Sequence, residues 1–366
     1  MPITVAALRE TASGERRVAI TPEMAKKMHG RGWRVLLEHD AGTAAGFPDA
    51  AYPEASFATA AQVCAEADVL ACVLPPADAA VAALREQTVV VGQLRPYGAA
   101  ARLAAMGTRR LAAFALELLP RTTRAQAMDV LSSQAAVAGY RAMLIAAEAA
   151  PKFFPMLTTA AGTIRPSRVL VIGAGVAGLQ AIATARRLGA QTEGYDVRPE
   201  TREQVESLGA RFLDLGVSAA GSGGYARELS AEERAAQQQA LADHLKNVDV
   251  IVTTAAVPGR PAPKILSAAM VNGMKPGALI VDLAAEGGGN CELTRPGERV
   301  EHGGVTILGP LNLPAGAPLH ASEMYARNVF NFLELLVREG ELSPDYDDEL
   351  VAKSCVTRDG QAHFGG

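Results

Sequence analysis

The apolar and polar positions along this chain follow a strand–helix rhythm. Short runs of Val, Ile and Leu alternate with longer stretches in which apolar residues recur at helical spacing, which is typical of α/β folds with parallel sheets. In the first third of the chain this pattern predicts four strands, at residues 4–8, 35–39, 69–73 and 89–94. One intervening helix is predicted at residues 22–29, with Thr21 as its N-cap and Pro22 at its first position.

A second strand–helix series begins at Arg168, with strands predicted at residues 169–172, 192–195, 250–254, 279–283 and 305–308. Long helical patterns at about residues 132–150 and 322–338 flank this series, and we expect both to connect it with the first. The predicted fold class is α/β, with two Rossmann-like domains that have parallel sheets and are joined by two crossover helices. Residues 1–137 and 319–366 would form the N-terminal domain, and residues 138–318 the second domain.

Composition fits a soluble two-domain protein and argues against several other classes. The chain has 366 residues, 49% of them hydrophobic and 20% charged, with a formal net charge of −4 and no basic tract, which argues against a nucleic-acid partner. The N-terminus lacks the pattern of a signal peptide, and no uninterrupted apolar stretch approaches the length of a membrane span. No metal site is predicted. Four cysteines without Cys-x-x-Cys spacing are expected to be reduced, buried thiols of a cytoplasmic protein: Cys64, Cys72, Cys291 and Cys355.

The strongest local motif follows the first strand of the second series and opens a helix. Gly173, Gly175 and Gly178 have the spacing of a dinucleotide-binding fingerprint. In such a motif the first glycine permits a tight turn, the second lets the backbone approach a pyrophosphate, and the third allows close helix–strand packing. The helix N-terminus supplies N–H groups and the positive end of the helix dipole. A glycine turn can also be purely structural, but the strand, the helix and a later acid all favour nucleotide binding.

That acid is Asp196, at the end of the next predicted strand. An acid at this position accepts hydrogen bonds from the adenosine ribose hydroxyls and repels a 2′-phosphate, which favours NAD over NADP. Arg198 lies two residues later and is able to receive such a phosphate, but a solvated or ion-paired role is the preferred interpretation. The other residues predicted to bind the cofactor are Ala174, Val176, Val197 and Ala255.

A second polar group precedes the long helix, where the two predicted domains should meet. Within twelve residues, Arg121, Gln126, Asp129 and Ser132 provide a cation, an amide, a carboxylate and a hydroxyl. Such groups can hold a carboxamide and ribose hydroxyls in a cleft. An N-terminal helix cap with ordinary surface charge would use the same residue types, and composition alone favours that alternative.

Several segments, spread over nearly the whole chain, carry a family resemblance. They are Arg9-Glu-Thr; Glu15-Arg-Arg-Val-Ala-Ile-Thr-Pro; residues 121–133 followed by Gln134-Ala-Ala-Val-Ala-Gly-Tyr-Arg; Gly223-Gly-Tyr-Ala-Arg-Glu; Gly259-Arg-Pro-Ala-Pro-Lys; and Val281-Asp-Leu-Ala-Ala-Glu-Gly-Gly-Gly-Asn-Cys-Glu. In content and order they resemble the soluble NAD(H)-binding alpha-1 subunits of proton-translocating NAD(P) transhydrogenases. Several are shared with the related alanine dehydrogenases. The discriminating segments are Arg121-Thr-Thr-Arg-Ala-Gln and Gly223-Gly-Tyr-Ala-Arg-Glu.

The resemblance implies a function, partners and site residues. Such a subunit binds NAD(H) and passes hydride from NADH to NADP⁺ on a partner subunit, coupled to proton translocation by membrane subunits. In that family the residues matched by Arg121, Gln126, Asp129 and Ser132 surround the nicotinamide end, and the one matched by Tyr225 lies on a loop that closes over the nucleotide. The implied partners are a second copy in a homodimer, an NADP(H)-binding beta-subunit domain and membrane-embedded subunits, through which this cytoplasmic chain would associate with the inner membrane.

An alanine dehydrogenase-like amino-acid oxidoreductase is the main alternative. That reaction needs an acid/base, and in that family a lysine follows the third strand and a histidine the fourth. Residues 73–78 and 91–97 supply neither, although Arg17 matches the arginine of the shared N-terminal motif. Hydride transfer between two nicotinamides moves no proton, so it requires proximity, orientation and exclusion of water. A non-catalytic NAD-binding sensor stays open too, since an isolated subunit of this kind would also only bind.

Overall fold

The chain folds into two compact units, each with its own sheet and core. The computed structural model describes residues 2–216, 230–257 and 259–364. Unit 1 consists of Met1–Gln134 and Pro314–Gly366, and unit 2 of Ala135–Leu313. The domain boundaries expected from the sequence, after residues 137 and 318, stay a prediction.

The N-terminal part of unit 1 contains six strands and four helices. The strands are β1 (Thr4–Ala7), β2 (Arg34–Glu38), β3 (Ala55–Ala58), β4 (Val69–Ala71), β5 (Val89–Gly92) and β6 (Ala112–Ala115). The helices are α1 (Pro22–Gly30), α2 (Ala60–Glu66), α3 (Asp78–Ala83) and α4 (Ala100–Thr108). Helix α1 begins at Pro22, as predicted, because a proline in the first turn lacks only an N–H that would have no helical partner there.

Helix α5 (Val130–Ala149) carries the chain from unit 1 into unit 2. Among the described residues it is the one helix long and apolar enough to cross a membrane, with a mean hydropathy of 1.2. Arg141 and Glu148 interrupt its apolar sequence. Its residues Ala142, Met143 and Ala146 are buried in the core of unit 2. The hydropathy of α5 is therefore that of a core helix.

In unit 2, the residues outside 217–229 and 258 form nine strands and four further helices. The strands are β7 (Leu157–Thr159), β8 (Gly162–Ile164), β9 (Arg168–Ile172), β10 (Gln191–Tyr195), β11 (Arg211–Phe212), β12 (Val250–Thr253), β13 (Leu279–Asp282), β14 (Arg299–His302) and β15 (Val305–Leu308). The helices are α6 (Val176–Arg187), α7 (Thr201–Ser207), α8 (Ala231–Leu245) and α9 (Ala268–Asn272).

The C-terminal part of the chain belongs to unit 1 again. Its elements are α10 (Pro318–Leu336), β16 (Val337–Arg338), β17 (Glu341–Leu342), α11 (Glu349–Ser354), β18 (Cys355–Arg358) and β19 (Gln361–Ala362). Because unit 1 resumes at Pro314, helix α10 lies wholly within it. Its fully buried residues Tyr325 and Phe332 join the main core of the unit, which explains the strong helical pattern of this segment.

The sheet of unit 1 has eight strands in the order β19-β18-β6-β5-β4-β1-β2-β3. Strands β1 to β6 pair in parallel, and β18 is antiparallel to both of its neighbours. Successive residues of a strand point to opposite faces, so Val69 and Leu70 lie in different core clusters. Apolar packing on both faces is expected for a parallel sheet.

The sheet of unit 2 has the order β11-β10-β9-β12-β13-β15-β14, parallel except for β14. The first strand of this sheet in the chain, β9, is flanked by β10 on one side and β12 on the other. Strand order reverses at β9, and such a switch point leaves a crevice at the carboxyl ends of the strands, where α/β proteins bind ligands.

The apolar pattern of the sequence misses β3 and β6. They read Ala-Ser-Phe-Ala and Ala-Ala-Phe-Ala and contain none of the β-branched residues Val, Ile or Thr. Their pairing with β2 and β5 places them in the sheet, because strand formation depends on the neighbours as well as on residue type.

Candidate functional site

A glycine turn joins β9 to α6 at the switch point of unit 2. Gly173 has a φ of +97°, a conformation that favours glycine. A Cβ atom on Gly173 would lie 2.5 Å from the Thr254 hydroxyl oxygen, and one on Gly178 would lie 1.7 Å from the Gly173 carbonyl oxygen. The first and third glycines of the fingerprint are therefore required by the packing of the unit itself.

The second glycine, Gly175, is different. Its φ of −80° suits any residue, and a Cβ atom there would meet no atom of the described structure within 4 Å. Gly175 is the N-cap residue of α6, whose first N–H groups have no partner within the helix. Val176, the first residue of α6, is exposed. An open space beside free N–H groups and the positive end of a helix dipole suits an anion such as a pyrophosphate.

Asp196 follows β10 and lies beside the glycine turn. Its Oδ2 accepts a hydrogen bond from the Ala174 N–H at 2.8 Å, and its Oδ1 accepts one from the Arg198 N–H at 2.9 Å. Burial by itself would raise the pKa of Asp196, but the hydrogen bonds from Arg198 and Ala174 outweigh burial and hold the pKa below its usual value. Asp196 is thus ionised near neutral pH.

Arg198 is ion-paired, in agreement with the preferred interpretation of its sequence position. Its Nε donates to Asp196 Oδ1 at 2.9 Å and its Nη2 donates to Asp196 Oδ2 at 2.8 Å. Asp196 therefore accepts four hydrogen bonds, about the number that a carboxylate can take. Two ribose hydroxyls could engage this carboxylate only if the Arg198 side chain gives up its two bonds, since the other two donors are backbone N–H groups.

Two residues at this site were not predicted. Thr254, directly after β12, donates its hydroxyl to the Gly173 carbonyl at 3.0 Å. Asn290 is fully buried and bonds both polar groups of Ala255, a predicted cofactor-binding residue. The Gly-Gly-Gly-Asn run after β13 could have drawn attention to Asn290, but its partner is 35 residues away in the chain. Val197, the remaining predicted residue here, is half-buried against the core.

The polar group predicted before α5 lies in unit 1. Asp129 Oδ1 accepts from the Ser132 N–H at 2.9 Å and its Oδ2 accepts from the Ser132 hydroxyl at 2.6 Å, which is the hydrogen-bonding of a helix cap. Arg121 and Gln126 are exposed. Gln126 begins a single 3₁₀ turn, Gln126–Met128, and its side-chain amide has no hydrogen-bond partner among the described residues. The structure thus brings Asp129 and Ser132 together and leaves the Gln126 amide available.

Tyr225 and the segment Gly223-Gly-Tyr-Ala-Arg-Glu lie outside the described residues. Within residues 2–216, 230–257 and 259–364, no group of three or more His, Cys, Asp or Glu side chains could hold a metal ion. All four cysteines are buried and free of disulfides, so the expectation of buried thiols is confirmed.

The strand ends of unit 1 are occupied by the protein's own carboxylates. Glu10, after β1, accepts hydrogen bonds from the N–H groups of Val73 at 2.5 Å and Leu74 at 3.3 Å, at the end of β4. Glu117, after β6, accepts likewise from the Leu94 and Arg95 N–H groups beyond β5. Residues 73–78 and 91–97 are the two segments in which an alanine dehydrogenase would carry its lysine and its histidine. Here backbone N–H groups of both segments donate to the carboxylates of Glu10 and Glu117.

The buried environment of Glu10 predicts a pH-dependent stability. Removal from water raises the pKa of Glu10 to about 7; the Val73 amide opposes this rise and the Glu15 carboxylate adds to it. The folded state therefore retains a proton that the unfolded state releases at its usual pKa of 4.5. The stabilisation is complete below pH 4.5 and is lost as the pH rises to about 7, a change of up to about 3 kcal/mol.

Urea unfolding of the wild type and Glu10→Gln at pH 5 and pH 8 measures this effect. Glutamine does not titrate, so the stability difference between the two pH values should shrink in the variant by the Glu10 contribution. Other titrating groups contribute equally to both proteins. An identical pH dependence in the two proteins would show that Glu10 titrates normally.

Comparison with known families covers nearly the whole chain. The model of the alanine dehydrogenase/PNT N-terminal domain matches residues 6–138, and that of the C-terminal domain matches residues 142–364. The first polypeptide of the NAD(P) transhydrogenase alpha subunit of Rhodospirillum rubrum is 44% identical to this chain over 370 residues, which cover 97% of this chain and 96% of that protein.

Two solved structures extend the comparison to the fold. A transhydrogenase structure from Sinorhizobium meliloti matches with a TM-score of 0.90 and 42% identity, covering 98% of this chain and 99% of that one. An L-alanine dehydrogenase structure matches with a TM-score of 0.84 and 22% identity, covering 99% and 97%. The second match concerns the fold alone, and it agrees with the predicted α/β class and its two parallel-rich sheets.

Proposed function

Since the chain belongs to the alanine dehydrogenase/PNT family, and within it to the NAD(P) transhydrogenase alpha subunits, we propose that its unit 2 binds NAD(H) for transfer of hydride to NADP⁺ on a partner subunit. The chain functions as an alpha-subunit polypeptide of an NAD(P) transhydrogenase, an oxidoreductase whose reaction is coupled to proton translocation by membrane subunits. The NADP(H) nucleotide belongs, in this proposal, to the partner.

The observation that carries the nucleotide site is the opening at Gly175. Packing of the unit requires Gly173 and Gly178, but nothing in the described structure requires a glycine at 175. The pyrophosphate would lie there, against the first turn of α6, and the adenosine ribose would lie at Asp196. Ala174, Val176, Val197 and Ala255 are proposed as the neighbouring contacts.

The nicotinamide end is assigned to the polar group before α5. From the family resemblance, we infer that four side chains contact the nicotinamide and its ribose: Arg121, Gln126, Asp129 and Ser132. The same resemblance supports Tyr225 as a further nucleotide contact. Bound NADH supplies the hydride. The task of these side chains is to fix the position of the reacting carbon and to exclude water, because no proton is moved.

We further infer that the chain forms a homodimer. All residues of β7 and β8 are exposed, and Leu157 and Ile164 pair across the two strands of this hairpin. An isolated two-stranded hairpin is marginal in water, so contact with a second copy would stabilise it. The partner subunits are taken to include an NADP(H)-binding domain and membrane-embedded subunits, which hold this chain at the cytoplasmic side of the inner membrane. Sedimentation equilibrium that shows only monomer would refute the homodimer.

Two measurements on the purified chain test the proposed function. Calorimetric titration should show NADH binding and much weaker NADPH binding, and addition of the NADP(H)-binding subunit should then give hydride exchange. Turnover of L-alanine with NAD would instead support the amino-acid oxidoreductase. Binding of NADH with no exchange in the reconstituted mixture would support the non-catalytic sensor.

Substitution of Asp196 is expected to reduce the preference for NADH. Asp196→Ala removes the acceptor for the ribose hydroxyls, and loss of hydrogen bonds to a charged group should weaken NADH binding by about 10- to 100-fold. The same change frees the Arg198 guanidinium from its carboxylate partner, so NADPH binding should improve. Dissociation constants for both nucleotides, measured by calorimetry, give the ratio.

Arg198→Gln in the Asp196→Ala background is the matched control. It retains a polar side chain but removes the charge, so the gain in NADPH affinity should disappear. An unchanged NADH-to-NADPH ratio in Asp196→Ala would mean that this carboxylate does not select the nucleotide.

A further inference from the structure

A connected set of polar side chains supports the glycine turn from the neighbouring strand ends. The Thr254 hydroxyl, after β12, donates to the Gly173 carbonyl at 3.0 Å. The N–H on the other side of the same peptide group, that of Ala174, donates to Asp196 Oδ2 at 2.8 Å. Both polar atoms of the Gly173–Ala174 peptide are therefore held by side chains, one from each strand flanking β9.

Asn290 fixes the residue that follows Thr254. Its Oδ1 accepts from the Ala255 N–H at 3.0 Å, and its Nδ2 donates to the Ala255 carbonyl at 2.8 Å and to the Pro263 carbonyl at 2.9 Å. Asn290 is fully buried, so each of these bonds is shielded from water. The side-chain amide thus pairs with Ala255 in the way a neighbouring strand would.

The fully buried carboxylate of Asp282, at the end of β13, extends this support on both sides. Its Oδ1 accepts from the Thr253 hydroxyl at 2.9 Å, directly before Thr254. Its Oδ2 accepts from the Cys291 N–H at 3.0 Å, directly after Asn290. The positions of Thr254 and Asn290 are therefore set by the same buried group, and neither can shift without breaking bonds that water cannot replace.

We propose that Thr254 and Asn290 are positioning residues that hold the Gly173–Ala174 peptide in the orientation required to bind a pyrophosphate. The proposal rests on the nucleotide site assigned above to Gly175 and α6. A glycine at positive φ permits rotation of the following peptide, and such a rotation would turn the Gly173 carbonyl oxygen toward the bound phosphates. Thr254 keeps this carbonyl bonded on the β12 side, so that the anion meets the N–H groups of the first turn of α6.

The inference predicts a loss of affinity that is selective for ligands with a pyrophosphate. Thr254→Val has the same shape but lacks the hydroxyl. One lost hydrogen bond corresponds to about a 5- to 10-fold higher dissociation constant for NADH and for ADP-ribose. Adenosine, which has no phosphate, should bind to Thr254→Val with an affinity within about twofold of the wild type. Thr254→Ser keeps the hydroxyl and should recover most of the loss.

The experiment compares these ligands on the purified full chain, with calorimetry for NADH and ADP-ribose and saturation-transfer NMR for adenosine. Thr184→Val is the matched control, because Thr184 is a buried threonine of α6 whose hydroxyl bonds a carbonyl within its own helix. Asn290→Asp keeps the acceptor for the Ala255 N–H and removes both donors, so it should reproduce the selective loss with a larger factor. If Asn290→Asp does not fold, the comparison of Thr254→Val with Thr254→Ser still tests the proposal.

Each outcome supports or overturns the assignment. Loss of NADH and ADP-ribose affinity in Thr254→Val, with recovery in Thr254→Ser and unchanged adenosine binding, supports it. Wild-type affinity in Thr254→Val overturns it, as does an equal loss for all three ligands or an equal loss in Thr184→Val. Wild-type protein that binds neither NADH nor ADP-ribose overturns the proposed function first, before any variant is compared.

Discussion

Gly175→Val is expected to abolish NADH binding while leaving the fold of unit 2 intact. The added side chain enters a space that no atom of the described structure occupies, and the φ of −80° is compatible with valine. That space is the one assigned to the pyrophosphate. Loss of two charge-assisted hydrogen bonds there corresponds to more than about a 100-fold rise in the dissociation constant.

The stability of this variant should fall only slightly. Valine is a poorer N-cap residue than glycine, which costs α6 about 1 kcal/mol. Gly178→Ala is the contrasting variant: its Cβ atom would lie 1.7 Å from the Gly173 carbonyl oxygen, so it should lower stability and binding together. Thermal unfolding and calorimetric titration of both variants separate the two effects. NADH binding by Gly175→Val at wild-type affinity would place the pyrophosphate elsewhere.

Gln126→Asn is expected to reduce hydride transfer by about 100-fold with little change in NADH affinity. The exposed amide of Gln126 has no partner among the described residues, so its loss leaves the protein's own hydrogen bonds intact. Shortening the side chain by one methylene withdraws the amide by about 1.5 Å, a covalent bond length. A contact of the nicotinamide end is lost, while the pyrophosphate and ribose contacts in unit 2 persist.

Stopped-flow transfer rates at saturating NADH, measured with the NADP(H)-binding subunit, test this expectation beside equilibrium binding. Gln361→Asn is the control, because Gln361 is an exposed glutamine of unit 1 outside the predicted site. A variant that loses affinity and keeps its transfer rate at saturation would assign Gln126 to binding alone.

Much of the fold follows from local features of the sequence. The runs that form β9, β12 and β13 are apolar enough to be recognised singly, and Pro22 marks the first residue of α1. The fingerprint of Gly173, Gly175 and Gly178 with Asp196 lies within 24 residues, in one strand–helix–strand unit. Such a unit has a fixed geometry, so spacing alone predicts where a nucleotide would lie.

Other features depend on contacts between distant segments. The alanine-rich strands β3 and β6 are held by their neighbours, and the pattern of their own residues gives no strand signal. The surroundings of the first two glycines also depend on distant segments: Gly173 lies against Thr254, 81 residues away, whereas the side of Gly175 is open. Spacing assigns the three glycines to one motif, and only their surroundings separate the one with open space beside it from the two that the packing requires.

The same holds for the polar groups around the site. Residue type and spacing marked Asp196 as an acceptor and Arg198 as a solvated or ion-paired cation, but one of the four bonds to Asp196 depends on where the Ala174 N–H points. Asn290 and Glu10 lie in segments that carry the family resemblance, but their partners are 35 and 63 residues away, and sequence spacing does not identify them. Periodicity and turn preference are properties of neighbouring residues in the chain. Hydrogen-bond partners at strand ends are set by strand order, which arises only when the whole sheet is assembled.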